Sequence, residues 1–377
     1  MGERAVDFLI VGSGIAGASL AYALTQAGAM DVLVVDGETT GSYHASGRSA
    51  AMFMAGYGNS AVRALTRQSL DFFQAPPEGF AEAPLLHRRG HLTIADEPHV
   101  ARLHGVAERT GAEIIDGAAA REMVPILRAE HIAAASYDPH AADIDTDLLY
   151  QSYARAARLG GARFRYDARF LGAERVGGGW IARVGSERIA ARIIVSAAGA
   201  WADQVARSCG LAPIGLRPLR RTALLVSAPA YCDPRHWPMV MTAAESLYFK
   251  PDAGKLLVSP EDETPTSPRD VQPEEWDVAV AVDRLERVAE IVVRRVDHSW
   301  AGLRTFTADR APVVGFDPRA PGFFWFAGQG GYGFQMAPAL AATGAALLTG
   351  TGAAEATAEH PLITAERFED ARDSAAA

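Results

Sequence analysis

The 377-residue sequence predicts an α/β fold on a Rossmann-like sheet, and three stretches carry that expectation. In the first, an apolar run of strand length, 6–11 (VDFLIV), enters Gly12-Ser13-Gly14-Ile15-Ala16-Gly17 directly. A small-residue helix, 18–26, and a second apolar run, 32–35, follow, closed by Asp36. In the second, 193–201 (IIVSAAGAW), a run suited to a buried parallel strand ends in a tight small-residue turn. In the third, the apolar run 323–327 leads into 328–335 (GQGGYGFQ) and a helix reaching about Leu348.

Each part of the first unit has a physical task. Gly12 permits the tight turn, Gly14 lets the backbone approach a pyrophosphate, and Gly17 lets helix and strand pack closely. The helix N-terminus offers free N–H groups and a partial positive charge to phosphates. Asp36, 19 residues after Gly17, can accept from a ribose hydroxyl. This is a dinucleotide site, and it does not say which dinucleotide. The C-terminal glycine cluster adds a second helix start. A helix N-terminus stabilises an adjacent negative charge by up to about 2 kcal/mol. A flavin ring becomes anionic on reduction and a nicotinamide does not, so the pair of helix starts favours FAD over NAD.

Composition excludes several classes. A net charge of −9 argues against nucleic acid or an anionic membrane surface as partner. The two cysteines, Cys209 and Cys232, form no CxxC, so neither a disulfide framework nor a metal site is expected, and a reducing, cytoplasmic setting fits. The start, MGERAVDFLIV, lacks the basic and long apolar regions of a signal peptide, and no apolar stretch has the length of a membrane span. Carboxylates at 138, 143, 145 and 147 fit no calcium loop and are read as turn and cap residues.

In chain order, 41–51 is small, polar and hydroxyl-rich, able to pass under a cofactor and ending at a helix start; 52–59 is a mobile connection carrying Tyr57. Helices are expected at 61–73, 99–110 and 118–124, and strands at 91–95 and 113–115. Residues 137–145 read as an acidic turn, after which Thr146 caps a helix to about Leu159. Strands follow at 163–166, 170–176, 180–184 and 188–191, then 216–228, 246–251 and 255–259. Residues 261–273 form a polar, Pro-containing loop, and 276–295 one long helix with a solvated charged face. The tail after Thr349 is uninformative.

Taken together, GSGIAGAS (12–19), YHASGRSAA (43–51), YDPHAADIDTD (137–147), VSAAGAW (195–201), ESLYFKPDAG (245–254), WAGLRTF (300–306) and GQGGYGFQ (328–335) resemble the D-amino-acid oxidase/dehydrogenase (DAO) family of flavoproteins. Within it they come nearest to the bacterial FAD-dependent D-arginine dehydrogenases. The resemblance implies a Rossmann-like FAD-binding domain of the GR2/DAO type, made of 1–80, 140–215 and 300–377. An α+β substrate domain on a mixed sheet, 81–139 and 216–299, is interleaved with it. It implies non-covalent FAD held by Gly12, Gly14, Ile15, Ala16, Gly17, Asp36, Gly37, Ala45, Ser46, Arg48, Ser49, Ala50, Ala51, Ala198, Gly199, Trp201, Gly330, Gly331, Tyr332, Gly333, Phe334 and Gln335. Arg221 and Arg304 would take a substrate carboxylate, Tyr57 and Tyr248 would close over it, and the Gly331 carbonyl would accept from the amine. Arg220 would face the other side of its strand, since neighbours alternate.

The implied reaction is oxidative deamination of a D-amino acid to a 2-oxo acid through an imine, with the hydride passing to flavin N5. Electrons would then go to a quinone, an electron-transfer protein or O2. Two departures from the D-arginine branch bear on substrate. His91 stands where that branch has a glutamate for the basic side chain, and Met52 where it has a histidine; Met54 also replaces a hydroxyl residue. The pocket is therefore expected to favour neutral or hydrophobic side chains, with an acidic side chain paired to His91 as the open alternative. Three alternatives stay open: an amino acid oxidase with Lys250 near the flavin, a 2-hydroxy acid dehydrogenase, and a non-catalytic flavin-binding subunit.

Overall fold

A computed structural model describes residues 4–353 and 361–368, so the end of the expected third FAD segment lies outside the described residues. The first sheet has eight strands. Arg4–Val11 lies at its centre, parallel to Val32–Val35 on one side and to Glu187–Ser196 on the other. The helix Ile15–Gln26 follows the first strand because the glycine turn lets it. A Cβ on Gly17 would stand 1.9 Å from the Gly12 carbonyl oxygen, so only glycine permits this approach. The helices Ser60–Gln74, Thr146–Leu159 and Gly333–Thr349 pack with it. Every residue of the strand Phe323–Ala327 is buried, and full burial of such side chains stabilises by roughly 1.5–3 kcal/mol each.

Glu187–Ser196 is one continuous strand where the sequence suggests two. Its first half pairs antiparallel with Gly179–Val184 and its second half parallel with Phe323–Ala327 along the same edge. No turn is needed at Arg192, because the partner changes and the strand does not. This strand carries its C-terminal turn to the mouth of the glycine turn at Gly12.

The second sheet has nine strands and is mixed. Its long pair, Arg217–Val226 and Val296–Phe306, runs antiparallel, with Arg221 opposite Gly302 and Leu219 opposite Arg304. One face packs on the helices Glu275–Val288 and Gly117–Met123 through Leu224, Phe249, Val258 and Leu285. The other face carries Arg221, Ala223, Tyr248 and Met241. A small third sheet, Met52–Phe53 with Ala142–Ile144 and Leu86–Arg88, completes the strands.

Four local expectations are corrected. No helix starts at 51: a 3-10 turn, Ala45–Arg48, leads into the strand Met52–Phe53, and the 52–59 connection is anchored there by buried Met52 and Met54. The acidic turn 137–145 is flanked by strands, Ala134–Asp138 and Ala142–Ile144. Its charge is absorbed one carboxylate at a time: Asp143 pairs with Lys250 and Arg89, and Asp138 accepts from the His140 amide. The cap of the following helix is Asp145, accepting from the Leu148 amide at 2.9 Å, and Thr146 is the first helical residue. The helix expected over 276–295 ends at Val288, where Ala289 turns extended and bridges to Leu127. Among the described residues no helix is long and apolar enough to cross a membrane.

Candidate active site

Both helix starts open on one cavity of about 770 Å³, within the usual range for small-molecule and cofactor sites. Its wall takes in Gly12, Gly14, Ile15 and Ala16 from the first turn, Ala198, Gly199 and Trp201 from the second, and Gly330, Gly331, Gly333 and Phe334 from the third. Asp36, Gly37, Ala45, Ser46, Arg48, Ser49 and Ala50 line it as well. Three glycine turns far apart in sequence thus meet at one place.

The fit to a dinucleotide can be judged from the backbone. Gly12 has φ +105°, and a Cβ there would stand 2.6 Å from the Ala197 carbonyl oxygen. A side chain is therefore excluded twice, by conformation and by space. The Ser46 hydroxyl accepts from the Ile15 amide at 3.0 Å, at the N-terminus of the first helix. Asp36 is oriented by the Ser13 amide and hydroxyl, both donating to Oδ2 at 2.7 Å, and by the Glu38 amide donating to Oδ1 at 3.0 Å. These features suit FAD, whose two phosphates need free N–H groups and whose ribose needs an oriented acceptor.

Not every residue of the expected set reaches the wall. Gly17 serves helix packing, and the Ala51 carbonyl accepts from the Ile144 amide at 3.2 Å. Tyr332 precedes the last helix with its ring 5.2 Å from Tyr57 and 6.1 Å from Phe306. Gln335 Oε1 accepts from the Met54 amide at 3.3 Å, while its buried Nε2 has no hydrogen-bond partner among the described residues. Arg48 lies on the wall, but its guanidinium is turned to the protein. It donates to the Val271 and Ala301 carbonyls at 3.0 and 2.9 Å and pairs with Asp270 at 2.5 Å.

At the far end, the long strand pair presents Arg221 and Arg304 to the cavity, and the strand Tyr248–Asp252 of the same sheet presents Tyr248. Arg220 points away to Glu274 and Asp277, as strand alternation requires. The two cavity-facing arginines differ. Arg221 Nε donates to the Asp262 carbonyl at 2.8 Å and Nη2 to Glu263 at 3.2 Å, and Nη1 lies 3.6 Å from Glu261. Among the described residues, no hydrogen bond or ion pair ends on the Arg304 guanidinium. Gly331 lies against it, and Gly330 donates its amide to the Thr305 carbonyl at 2.9 Å, fastening the glycine turn to the arginine strand. Burial pushes the Tyr57 phenol up to about 12, with Arg304 pulling the other way, so Tyr57 is an uncharged hydrogen-bond donor at neutral pH.

The residues expected to read the side chain lie on the same face of the second sheet. Met52 and Met54 pack with Met239, Met241, Tyr248 and Leu257 in one apolar cluster. His91 sits opposite Met239 in register; burial lowers its pKa to about 4, with Asp138 acting against this, and its Nε2 has no partner among the described residues. Met52, Met54, His91 and Tyr57 are not among the residues lining the cavity. Lys250 shares the Tyr248 face but is tied to Asp143 at 2.6 Å and is also off the wall.

Sequence reasoning passed over the loop 261–273. It brings Glu261 and Glu263 to Arg221, and Pro268, Arg269, Asp270 and Val271 to the cavity wall. The signal was present as an acidic run, Glu261-Asp262-Glu263, in a chain with an arginine pair elsewhere.

The chain is 27% identical over 266 residues to human mitochondrial dimethylglycine dehydrogenase, covering 67% of this chain and 30% of that protein. It is 28% identical over 227 residues to glycine oxidase from Geobacillus kaustophilus, covering 58% of this chain and 57% of that one. The chain thus spans well under two thirds of these relatives. The crystal structure of the same glycine oxidase superposes with a TM-score of 0.80 at 23% identity, over 92% of this chain and 95% of that one. L-proline dehydrogenase from P. horikoshii gives 0.79 at 20%, over 93% and 94%. These structural likenesses establish the fold. The model of the DAO family, described as FAD dependent oxidoreductase, matches residues 7–347, a span that holds all three glycine turns and both Arg221 and Arg304. The chain therefore belongs to the DAO family of FAD-dependent oxidoreductases.

Proposed function

We propose that the protein is a dehydrogenase that oxidatively deaminates D-amino acids with neutral or hydrophobic side chains. The observation that carries this reading is the unpaired Arg304 guanidinium on the cavity wall beside Gly331. A guanidinium stays charged at all working pH values and binds a carboxylate through two parallel hydrogen bonds. Arg221 and the Tyr57 and Tyr248 phenols would complete the clamp, and the Gly331 carbonyl would accept from the amine, holding its lone pair toward Cα. The Cα–H bond then breaks with its electron pair leaving as hydride while the amine lone pair forms C=N. The iminium so formed releases one proton to solvent to become the imine, which water hydrolyses to a 2-oxo acid and ammonia. FAD, when bound, supplies the acceptor for that hydride. The chain's own contribution is position, charge and exclusion of water.

The D configuration rests on the likeness of the sequence motifs. The neutral side chain rests on the methionine cluster and on an imidazole that stays uncharged beside it. The names of the relatives keep glycine and N-methylated glycines in view as substrates. An oxidase reading needs a cation free to meet O2, and Lys250 is held by Asp143 away from the wall, which favours the dehydrogenase. Neither cysteine lines the cavity, in keeping with non-covalent FAD, and two free thiols fit a cytoplasmic location. The division into 1–80, 140–215 and 300–377 against 81–139 and 216–299 is part of the proposal. It is supported by the first sheet drawing its strands from the former set, while Val296–Phe306 crosses the last boundary.

The test is anaerobic bleaching of the flavin by a panel of D- and L-amino acids, glycine, sarcosine, dimethylglycine and 2-hydroxy acids. Fastest bleaching by a neutral D-amino acid is expected. Fastest bleaching by D-arginine would overturn the pocket argument, by N-methylglycines the primary amine, and by a 2-hydroxy acid the deamination itself.

A further inference from the structure

We propose that Glu261 fixes the clamp at one net positive charge, so that the site accepts a ligand with one carboxylate and rejects one with two. The inference rests on the clamp reading above and deepens it to a substrate class. Two guanidiniums, Arg221 and Arg304, stand at this end of the cavity, and a third, Arg310, is joined to them through Glu263 without lining it. Arg310 is paired with Glu263 at 2.7 Å, and Glu263 also accepts from Arg221 at 3.2 Å. Arg221 and Arg304 face the cavity, and Glu261 is the carboxylate set against them. Three guanidiniums against two carboxylates leave one positive charge, carried at the unpaired Arg304.

Glu261 is built into this place. Its side chain is 4% exposed, its Oε2 lies 3.6 Å from Arg221 Nη1, and its Oε1 has no hydrogen-bond partner among the described residues. It does not line the cavity, so it stands behind the guanidiniums and leaves the ligand's position open. Its backbone is held at φ +54°, a conformation that non-glycine residues adopt at a cost. Neighbouring carboxylates answer to other groups: Asp262 accepts from the Thr222 amide and hydroxyl at 2.7 and 3.1 Å, and Glu245 pairs with Arg102 at 2.8 Å. Lys250, the other cation on this sheet face, is neutralised by Asp143. A first ligand carboxylate therefore brings the buried clamp to neutrality. A second would enter uncompensated, and buried charge without a partner is strongly disfavoured.

The experiment titrates FAD-loaded enzyme with acetate and with malonate, reading dissociation constants from perturbation of the flavin absorption bands. Wild type is expected to bind acetate more tightly than malonate. In Glu261→Gln, which keeps the shape and removes the charge, the malonate-to-acetate affinity ratio should rise by about tenfold or more. A ratio within about twofold of wild type, in variant protein that retains its FAD, would overturn the inference. So would tighter binding of malonate than of acetate by wild type itself, which needs no variant. Arg304→Ala separates the two levels. If it weakens both anions while Glu261→Gln leaves the ratio alone, only the role of Glu261 fails. If it weakens neither, or if wild type binds neither anion, the clamp fails and this inference with it.

Discussion

Replacing Gly331 with alanine moves one atom into the centre of the proposed site. The new Cβ would stand 2.8 Å from Arg304 Cζ and Nε and 2.9 Å from Nη1, where ordinary contact begins at 3.4 Å. Gly331 does not have a left-handed φ, so its backbone accepts a side chain. The guanidinium is the far end of a flexible chain with no partner to hold it, so it retreats, by roughly 0.6 Å. A misplacement of about 1 Å costs on the order of 100-fold in rate. The expected loss in kcat/KM is therefore about 10- to 100-fold, with thermal stability and FAD content close to wild type. The assay is steady-state kinetics with the amino acid that bleaches the flavin fastest, beside flavin content and a thermal melt. A kcat/KM within about twofold of wild type would show that Arg304 does not position the substrate. A loss that tracks released FAD would show that Gly331 serves the cofactor instead.

Three further outcomes follow from the same geometry. Asp36→Ala removes an acceptor already aligned by Ser13 and Glu38, and should weaken FAD binding by about 10-fold or more, measured on reconstituted apoprotein; full retention of FAD through dialysis would refute the ribose role. His91 has a folded pKa of about 4 against an ordinary 6.5, so the unfolded chain binds the extra proton in that window and stability falls as pH drops through it. The protein should be about 2 kcal/mol less stable at pH 5 than at pH 8 on this account, and His91→Gln should remove that part in urea unfolding; identical pH slopes would refute it. Lys250→Met leaves Asp143 still paired with Arg89 and should cost about 1.5 kcal/mol of stability. Anaerobic flavin reduction should be nearly unchanged, and a selective fall in the O2 reaction would instead restore the oxidase reading.

The sequence made legible what the backbone decides locally. The turn at Gly12 needs a positive φ and close approach, which leaves only glycine, so Gly12, Gly14 and Gly17 could be read in place. The strands 32–35 and 91–95 were bounded correctly because an apolar run between turn residues has few other conformations. Arg220 and Arg221 could be assigned to opposite faces because a strand alternates. The continuity of Glu187–Ser196 was not legible, since one strand with two successive partners looks like two short strands.

The sequence by itself determined that a dinucleotide site exists and that FAD suits it, while the resemblance to the family proposes Arg221 and Arg304 for a carboxylate. Tertiary structure alone decided how those arginines are charged. Glu261 reaches Arg221 across a loop with no apolar pattern to announce it, and Lys250 finds Asp143 across 107 residues. It also decided that His91, Met52 and Met54 lie behind the wall. Local propensity acts between neighbours in the chain, whereas ion pairing and desolvation depend on which surfaces the folded sheets bring within a few ångströms.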